Sequence, residues 1–302
     1  MGRWTHLKTK WRFATAGLFI ALCSVAARAA EPVGSENKIV LKWLGVVGWE
    51  IRVGKTVVLI DPFLTRRSAA RDQEWKTDEE AVLKAVAGAD YIFVGHSHAD
   101  HVADVPFIAK RFGAKVIGSR TTTNLALTAG VDKAQLTTIQ GGEKFDFQDF
   151  SVEVVESRHG ISQTAGRTEV SEPKELGAPR SGPLLGRHFV EGGSFLYNFS
   201  FGKHRVLHQS TANFVEEKLA GLNPDVALLA EPGRGYNLKN ALQTLKPKVI
   251  IIQHYDDWRM PFSQGLPSDH VKRAERFKRY IEAVDGRIKV IIPDFFMTYA
   301  LE

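Results

Sequence analysis

Tyr91-Ile92-Phe93-Val94-Gly95-His96-Ser97-His98-Ala99-Asp100-His101 decides how the chain is read. Tyr91 to Val94 is a short apolar run closed by a glycine, which predicts a buried strand. Three histidines and an aspartate follow, so a polar cluster sits at the strand's C-terminal end. The whole chain has 302 residues and 10 histidines, and a concentration of three within six positions is not what composition alone produces. Imidazoles and a carboxylate crowded at a buried strand end repel and desolvate one another unless something positive holds them. A divalent cation does so, because neutral imidazole and carboxylate are its ordinary ligands. His96, His98, Asp100 and His101 are therefore candidate metal ligands. The alternative is a polar loop that is merely rich in histidine.

The order His96-x-His98-x-Asp100-His101 after an apolar strand resembles the signature of the metallo-β-lactamase-fold hydrolases. The opening strands, Trp43-Leu44-Gly45 through Ile60-Asp61-Pro62, are similar to one subset of that superfamily, the L-ascorbate-6-phosphate lactonases and their relatives. The resemblance implies an α/β fold, a four-layer αβ/βα sandwich with two divalent metal ions at one edge of its two sheets. Zinc is the expected metal, with manganese or iron as alternatives. Two further histidines gain meaning from it. His159, in Arg158-His159-Gly160, ends the predicted strand Ser151 to Ser157, and His254 ends the predicted strand Lys248 to Gln253. By resemblance His96, His98 and His159 hold one ion, and Asp100, His101 and His254 the other. Asp61 is expected beneath the site, orienting a ligand, with a plain turn-forming role as the alternative.

The ends of the chain narrow the setting. Arg3, Lys8, Lys10 and Arg12 precede an apolar stretch, Phe13 to Ala27, and Ala27-Arg28-Ala29 is a small-residue cleavage site. Residues 1–30 read as a secretory signal peptide, with an uncleaved N-terminal anchor as the alternative, and residues 31–302 as one domain. A cleaved leader implies a mature protein outside the cytoplasm, secreted or periplasmic, with no membrane attachment expected after cleavage. The leader carries five basic residues and no acidic one, so the 40 basic residues of the chain fall to 35 against 34 acidic ones. The net charge of +6 is then largely a leader property and gives no argument for nucleic acid. The single cysteine, Cys23, leaves with the leader, so the mature chain has no thiolate for a metal or a nucleophile.

Outward from the signature, strands alternate with helices, which argues for α/β layering. A helix is expected over Asp78 to Ala87. Asp104 is expected to cap another that runs to about Phe112, with Pro106 in its first turn. Gly193 to Phe201 and Arg205 to His208 read as a hairpin across Gly202-Lys203. Asn213 is expected to cap a helix through about Leu219, and Ser268-Asp269 to cap a long one to Val284. The segment 160–192 is long, polar and rich in Gly and Pro, and is expected to be an active-site loop. His188 within it, His208, and Glu231 with Arg234 at another strand end have no assigned role in chemistry.

One departure stands out. Many two-metal members of the superfamily place a bridging aspartate after the strand that here ends in His208-Gln209-Ser210-Thr211, where the aspartate falls at Ser210 or Thr211. The second ion is then held weakly, or the ions share only a water, or activity has been lost. The expected function is an exported hydrolase that activates water on an ester, lactone or phosphodiester of a small-molecule substrate, with Asp100 as the catalytic carboxylate. Two alternatives are β-lactam hydrolysis and a catalytically silent metal- or ligand-binding module.

Overall fold

A computed structural model describes residues 38–159, 162–164, 167–169, 174–211, 213–231 and 237–301. The expected signal peptide and Arg234 lie outside them. Residues Ser35–Glu302 form one compact unit. In chain order its strands are β1 (Ile39–Gly45), β2 (Gly48–Val53), β3 (Thr56–Ile60), β4 (Tyr91–Phe93), β5 (Lys115–Gly118), β6 (Leu136–Thr138), β7 (Lys144–Asp146), β8 (Ser151–Ser157), β9 (Ser162–Thr164), β10 (Arg167–Glu169), β11 (Ser194–Phe201), β12 (His204–Gln209), β13 (Val226–Ala230), β14 (Val249–Gln253), β15 (Lys289–Ile291) and β16 (Thr298–Leu301). The α-helices are α1 (Glu79–Ala85), α2 (Ala99–Val102), α3 (Val105–Phe112), α4 (Arg120–Thr128), α5 (Leu238–Leu245) and α6 (Ser268–Val284). Among the described residues no helix is long and apolar enough to cross a membrane.

Two seven-stranded sheets result, ordered β16-β1-β2-β3-β4-β5-β6 and β15-β14-β13-β12-β11-β8-β7, with β9 and β10 as a separate ribbon. The two-residue alternation of the strands separates their faces. Val58, Ile60 and Phe93 of the first sheet meet Val154, Tyr197 and Phe199 of the second in the central core. Their neighbours Val57, Leu59 and Ile92 point the other way and pack under Val82 of α1, Ile108 of α3 and Leu125 of α4. On the second sheet α5 and α6 contribute Leu242, Phe277 and Ile281. This is the helix–sheet–sheet–helix layering of the metallo-β-lactamase fold.

The mixed topology positions the site. β3, β4, β5 and β6 run parallel in one sheet, and β12, β13, β14 and β15 in the other. Parallel strands bring their C-terminal ends to one edge. Asp61, His96, His159, Ser210 and His254 all lie just beyond strand ends.

Three cap expectations are corrected. Asp104 precedes α3, but its carboxylate makes no cap bond and instead accepts from the Leu64 and Thr65 N–H groups and the Thr65 hydroxyl at 2.6–2.8 Å, fixing the segment after Asp61-Pro62. The expected helix after Asn213 is only a 3-10 turn, Glu216–Lys218. Asn213 Oδ1 accepts from the adjacent Phe214 N–H, and its carbonyl is taken by the Ser157 hydroxyl, so neither group starts a helix. α6 begins at Ser268 with Pro267 in the cap position and no side-chain cap.

Arg66, which carried no sequence signal, locks the loop after β14. Its guanidinium pairs with Asp256 at 2.8 Å, donates to the Asp257 and Met260 carbonyls at 2.6 Å, and lies over the Phe262 ring. Asp256 also accepts from the Val46 N–H, and the His254 N–H donates to the Val46 carbonyl at 2.7 Å. The loop carrying His254 is thereby tied to the β1–β2 turn. Arg66→Ala leaves the buried Asp256 carboxylate without its cation. The expected loss of stability is about 3–5 kcal/mol in urea unfolding, and a loss below about 1 kcal/mol would contradict this account of the loop.

Candidate metal centre

The signature loop leaves β4 and enters α2 with His98 at the cap position. Asp100 and His101 stand on that single turn, while His96 and His98 lie before it. Ser97 N–H donates to the Glu191 carbonyl at 2.8 Å, and the Ser97 hydroxyl reaches Thr122 at 2.7 Å, so the loop is pinned on both sides. Residues 174–192 of the expected active-site loop are not a free flap. Leu176 N–H donates to Thr121, Asn124 donates to the Leu176 carbonyl, and Trp75 N–H donates to the Leu184 carbonyl. Residues 174–192 form a docked wall beside the signature loop.

Two sets of three donors emerge. His96, His98 and His159 form one, and Asp100, His101 and His254 the other, with the donor atoms of each set within 4.8 Å of one another. His96 Nε2 lies 3.1 Å from His98 Nδ1. Asp100 Oδ2 lies 3.7 Å from His101 Nε2 and 3.6 Å from His254 Nε2. The sets adjoin, since the His96 and His101 rings are 3.7 Å apart. Donor separations of this size are those around an ion bound at roughly 2.0–2.2 Å. Five imidazoles and one carboxylate are borderline donors, suited to zinc or iron more than to calcium or magnesium.

The electrostatics fit such an ion. Burial pushes His96 well below the usual imidazole range, helped by the neighbouring His101, His159 and His98. Burial lowers His98 to about 4 and His101 to about 3, against the opposing charge of Asp100, and also lowers His159. These rings are neutral at neutral pH, with lone pairs available. Burial would raise Asp100, but the surrounding His101, His254 and His98 hold it below the usual carboxylate range.

Asp61 lies beneath both sets. It is fully buried, adopts a positive φ of 42°, and accepts from the Gly95 N–H at 2.6 Å, the Ser210 hydroxyl at 2.6 Å and His101 Nδ1 at 3.1 Å. Burial raises it to about 7, against the charge of His208 and the Ser210 and Gly95 hydrogen bonds. A ring proton held at Nδ1 by a carboxylate leaves His101 Nε2 free for a cation. His254 also has a positive φ, 56°; strain of this kind outside glycine gathers where a side chain must be aimed.

The residues without an assigned role fall outside both sets. His208 Nε2 meets the Val47 carbonyl at 2.8 Å, in the core. His188 Nδ1 accepts from the Leu185 N–H. Glu231 forms an ion pair with Arg273, and Asp257 holds Arg259. At the position of the expected bridging aspartate, Ser210 binds Asp61 and Thr211 donates to the Arg158 carbonyl at 2.7 Å, beside His159. Neither role was visible in the sequence, because each depends on a partner 50 or more residues away.

Residues 56–178 match the family model described as a Beta-lactamase superfamily domain. Over 206 residues the chain is 32% identical to a UPF0173 metal-dependent hydrolase of Carboxydothermus hydrogenoformans, covering 66% of this chain and 77% of the relative. A UPF0173 metal-dependent hydrolase of Myxococcus xanthus is 27% identical over 284 residues, covering 92% of this chain and 88% of the relative. Among solved structures, Igni18, a metallo hydrolase from Ignicoccus hospitalis, shares the fold at a TM-score of 0.60 and 20% identity, covering 88% of this chain and 99% of that one. The identity and coverage of the Carboxydothermus relative, with the two-sheet architecture and the two donor sets, lead to one assignment: the chain belongs to the UPF0173 metal-dependent hydrolases of the metallo-β-lactamase fold.

Proposed function

We propose that the protein is an exported hydrolase that binds two divalent cations, zinc first among them, and cleaves an ester, lactone or phosphodiester bond in a small molecule. The observation that carries the proposal is the pair of adjoining three-donor sets, His96/His98/His159 and Asp100/His101/His254. Export rests on the leader pattern of residues 1–30, and the choice of bond on the resemblance of the opening strands to the lactonase-like subset.

When bound, the two cations would supply an acidified water and polarise the oxygen under attack. The protein's own groups do the rest. Asp61 holds His101 in one ring orientation, and the Arg66–Asp256 pair holds the segment of His254. Asp100 has its side chain partly open to solvent, at 15% exposure, which supports assigning it to orient the attacking water and pass its proton to the leaving group. Glu191 accepts from the Ser194 hydroxyl at 3.0 Å and its carbonyl from Ser97, which keeps the docked wall against the signature loop.

Turnover on a panel of lactones, phosphodiesters, simple esters and a cephalosporin is expected to appear on the first three classes and to be weakest on the cephalosporin. Preferential cephalosporin hydrolysis would replace this substrate reading with β-lactam hydrolysis. His98→Ala and His101→Ala are each expected to lower kcat/KM by more than about 100-fold, since loss of a partner that merely orients a ligand already costs 10–100-fold. Chelation is expected to abolish turnover and added zinc to restore it. Activity indifferent to both substitutions and to chelation would overturn the assignment of these residues.

A further inference from the structure

Ser210 occupies the position where a bridging aspartate is expected, yet its hydroxyl faces away from a ligand role. The oxygen lies 2.6 Å from Asp61 Oδ2 and 3.3 Å from His96 Nδ1. Asp61 also takes His101 Nδ1 on that same oxygen and the Gly95 N–H on the other. Three donors converge on the two Asp61 oxygens, and as the ionised carboxylate that such a set of donors suits, Asp61 only accepts, so the single Ser210 proton goes to it. The lone pairs left on Ser210 then accept from His96 Nδ1–H. With its ring proton committed there, His96 presents a bare Nε2 to the space shared with His98 Nδ1, 3.1 Å away. His101 is fixed in the same sense by direct contact with Asp61, and its Nε2 faces Asp100 and His254.

We infer that Ser210 is a positioning residue that extends the Asp61 carboxylate to His96, so that one buried anion sets the ring tautomer of a ligand in each of the two cation sites. The inference rests on the two-cation reading proposed above. The local packing is built for this relay. Asp61, Ser210, His96 and His101 are all at most 2% exposed, so water does not compete for these hydrogen bonds. An ideal Cβ placed on Gly95 would lie 2.0 Å from Ser210 Oγ and 3.1 Å from Asp61 Oδ2. Glycine immediately before His96 is therefore what allows the serine to reach between the carboxylate and the ring. The Gly95 N–H seats the other carboxylate oxygen at 2.6 Å. A serine in place of the aspartate thus changes the way the two sites communicate: an anion below them takes the place of an anion between them.

The test is zinc binding by the full chain, measured by competition with a chromophoric chelator, together with ¹⁵N-histidine NMR of the zinc-loaded protein. The wild-type spectrum is expected to show His96 protonated at Nδ1 with Nε2 bound to zinc, a readout that does not depend on any variant folding. Ser210→Ala is expected to weaken one of two zinc equivalents by about 10–100-fold, and to release the His96 N–H to rapid solvent exchange. Asp61→Asn is expected to weaken both equivalents. His96 protonated at Nε2 in the wild type, or unchanged zinc affinity and N–H exchange in a folded Ser210→Ala protein, would overturn the inference while leaving the two-cation reading intact. Failure of the wild type to take up zinc would instead overturn that reading, and the inference with it.

Discussion

Asp61 follows β3 with a positive φ and no exposure to solvent, and donors from two strand ends and a helix converge on its two oxygens: the Gly95 N–H after β4, the Ser210 hydroxyl after β12 and the His101 ring on α2. A buried carboxylate is costly unless such donors meet it. Because the donors come from the segment after β4, from α2 and from the end of β12, satisfying one carboxyl group ties both sheets together at the edge where the candidate ligands lie. Burial still raises the Asp61 pKa to about 7, so a positive charge bound above it would favour its ionised form. The same burial strips the protons from His96, His98, His101 and His159. The neutral rings and the carboxyl group beneath them form one unit, with Asp61 on the core side and the two donor sets above it.

Much of this was legible in the sequence because it depends on local pattern. A strand's two-residue period and a histidine just past its end can be read one segment at a time, and parallel strands deliver such ends to a common edge. That is why His96, His98, Asp100, His101, His159 and His254 could be named and then met in space. What was not legible depends on distant partners. Arg66 stands in an unremarkable Thr-Arg-Arg run, and its partner lies 190 residues away at Asp256. Asp104 looked like a helix cap because its position allowed it, but a more favourable set of donors at Leu64 and Thr65 took its carboxylate. Asn213 lost its expected helix in the same way, to neighbouring hydrogen bonds. Ser210 was read as the loss of a ligand. Its gain, a link between Asp61 and His96, exists only once the ends of β3 and β4 in one sheet meet the end of β12 in the other.

The fold and family establish metal-dependent hydrolysis, and the arrangement of the site narrows how this chain would carry it out. Asp100 is the one carboxylate within the two donor sets, and its partial exposure separates it from the buried Asp61. The two aspartates thus differ in setting: Asp100 is partly open to solvent, and Asp61 is fully buried beneath the candidate ligands. Arg66, with Asp256, performs for the His254 loop what Asp61 performs for His101, fixing a ligand from behind through a buried charge. The positive φ values of Asp61, Arg66 and His254 occur along this frame, where backbone strain is balanced by hydrogen bonds that aim the side chains.

Anomalous diffraction at the zinc edge from crystals of the zinc-loaded protein tests the central claim most directly. The account predicts two peaks, one among His96, His98 and His159 and one among Asp100, His101 and His254, about 3.5–4 Å apart as in other two-metal hydrolytic sites. Zinc bound elsewhere, or a single ion that draws ligands from both sets, would contradict it.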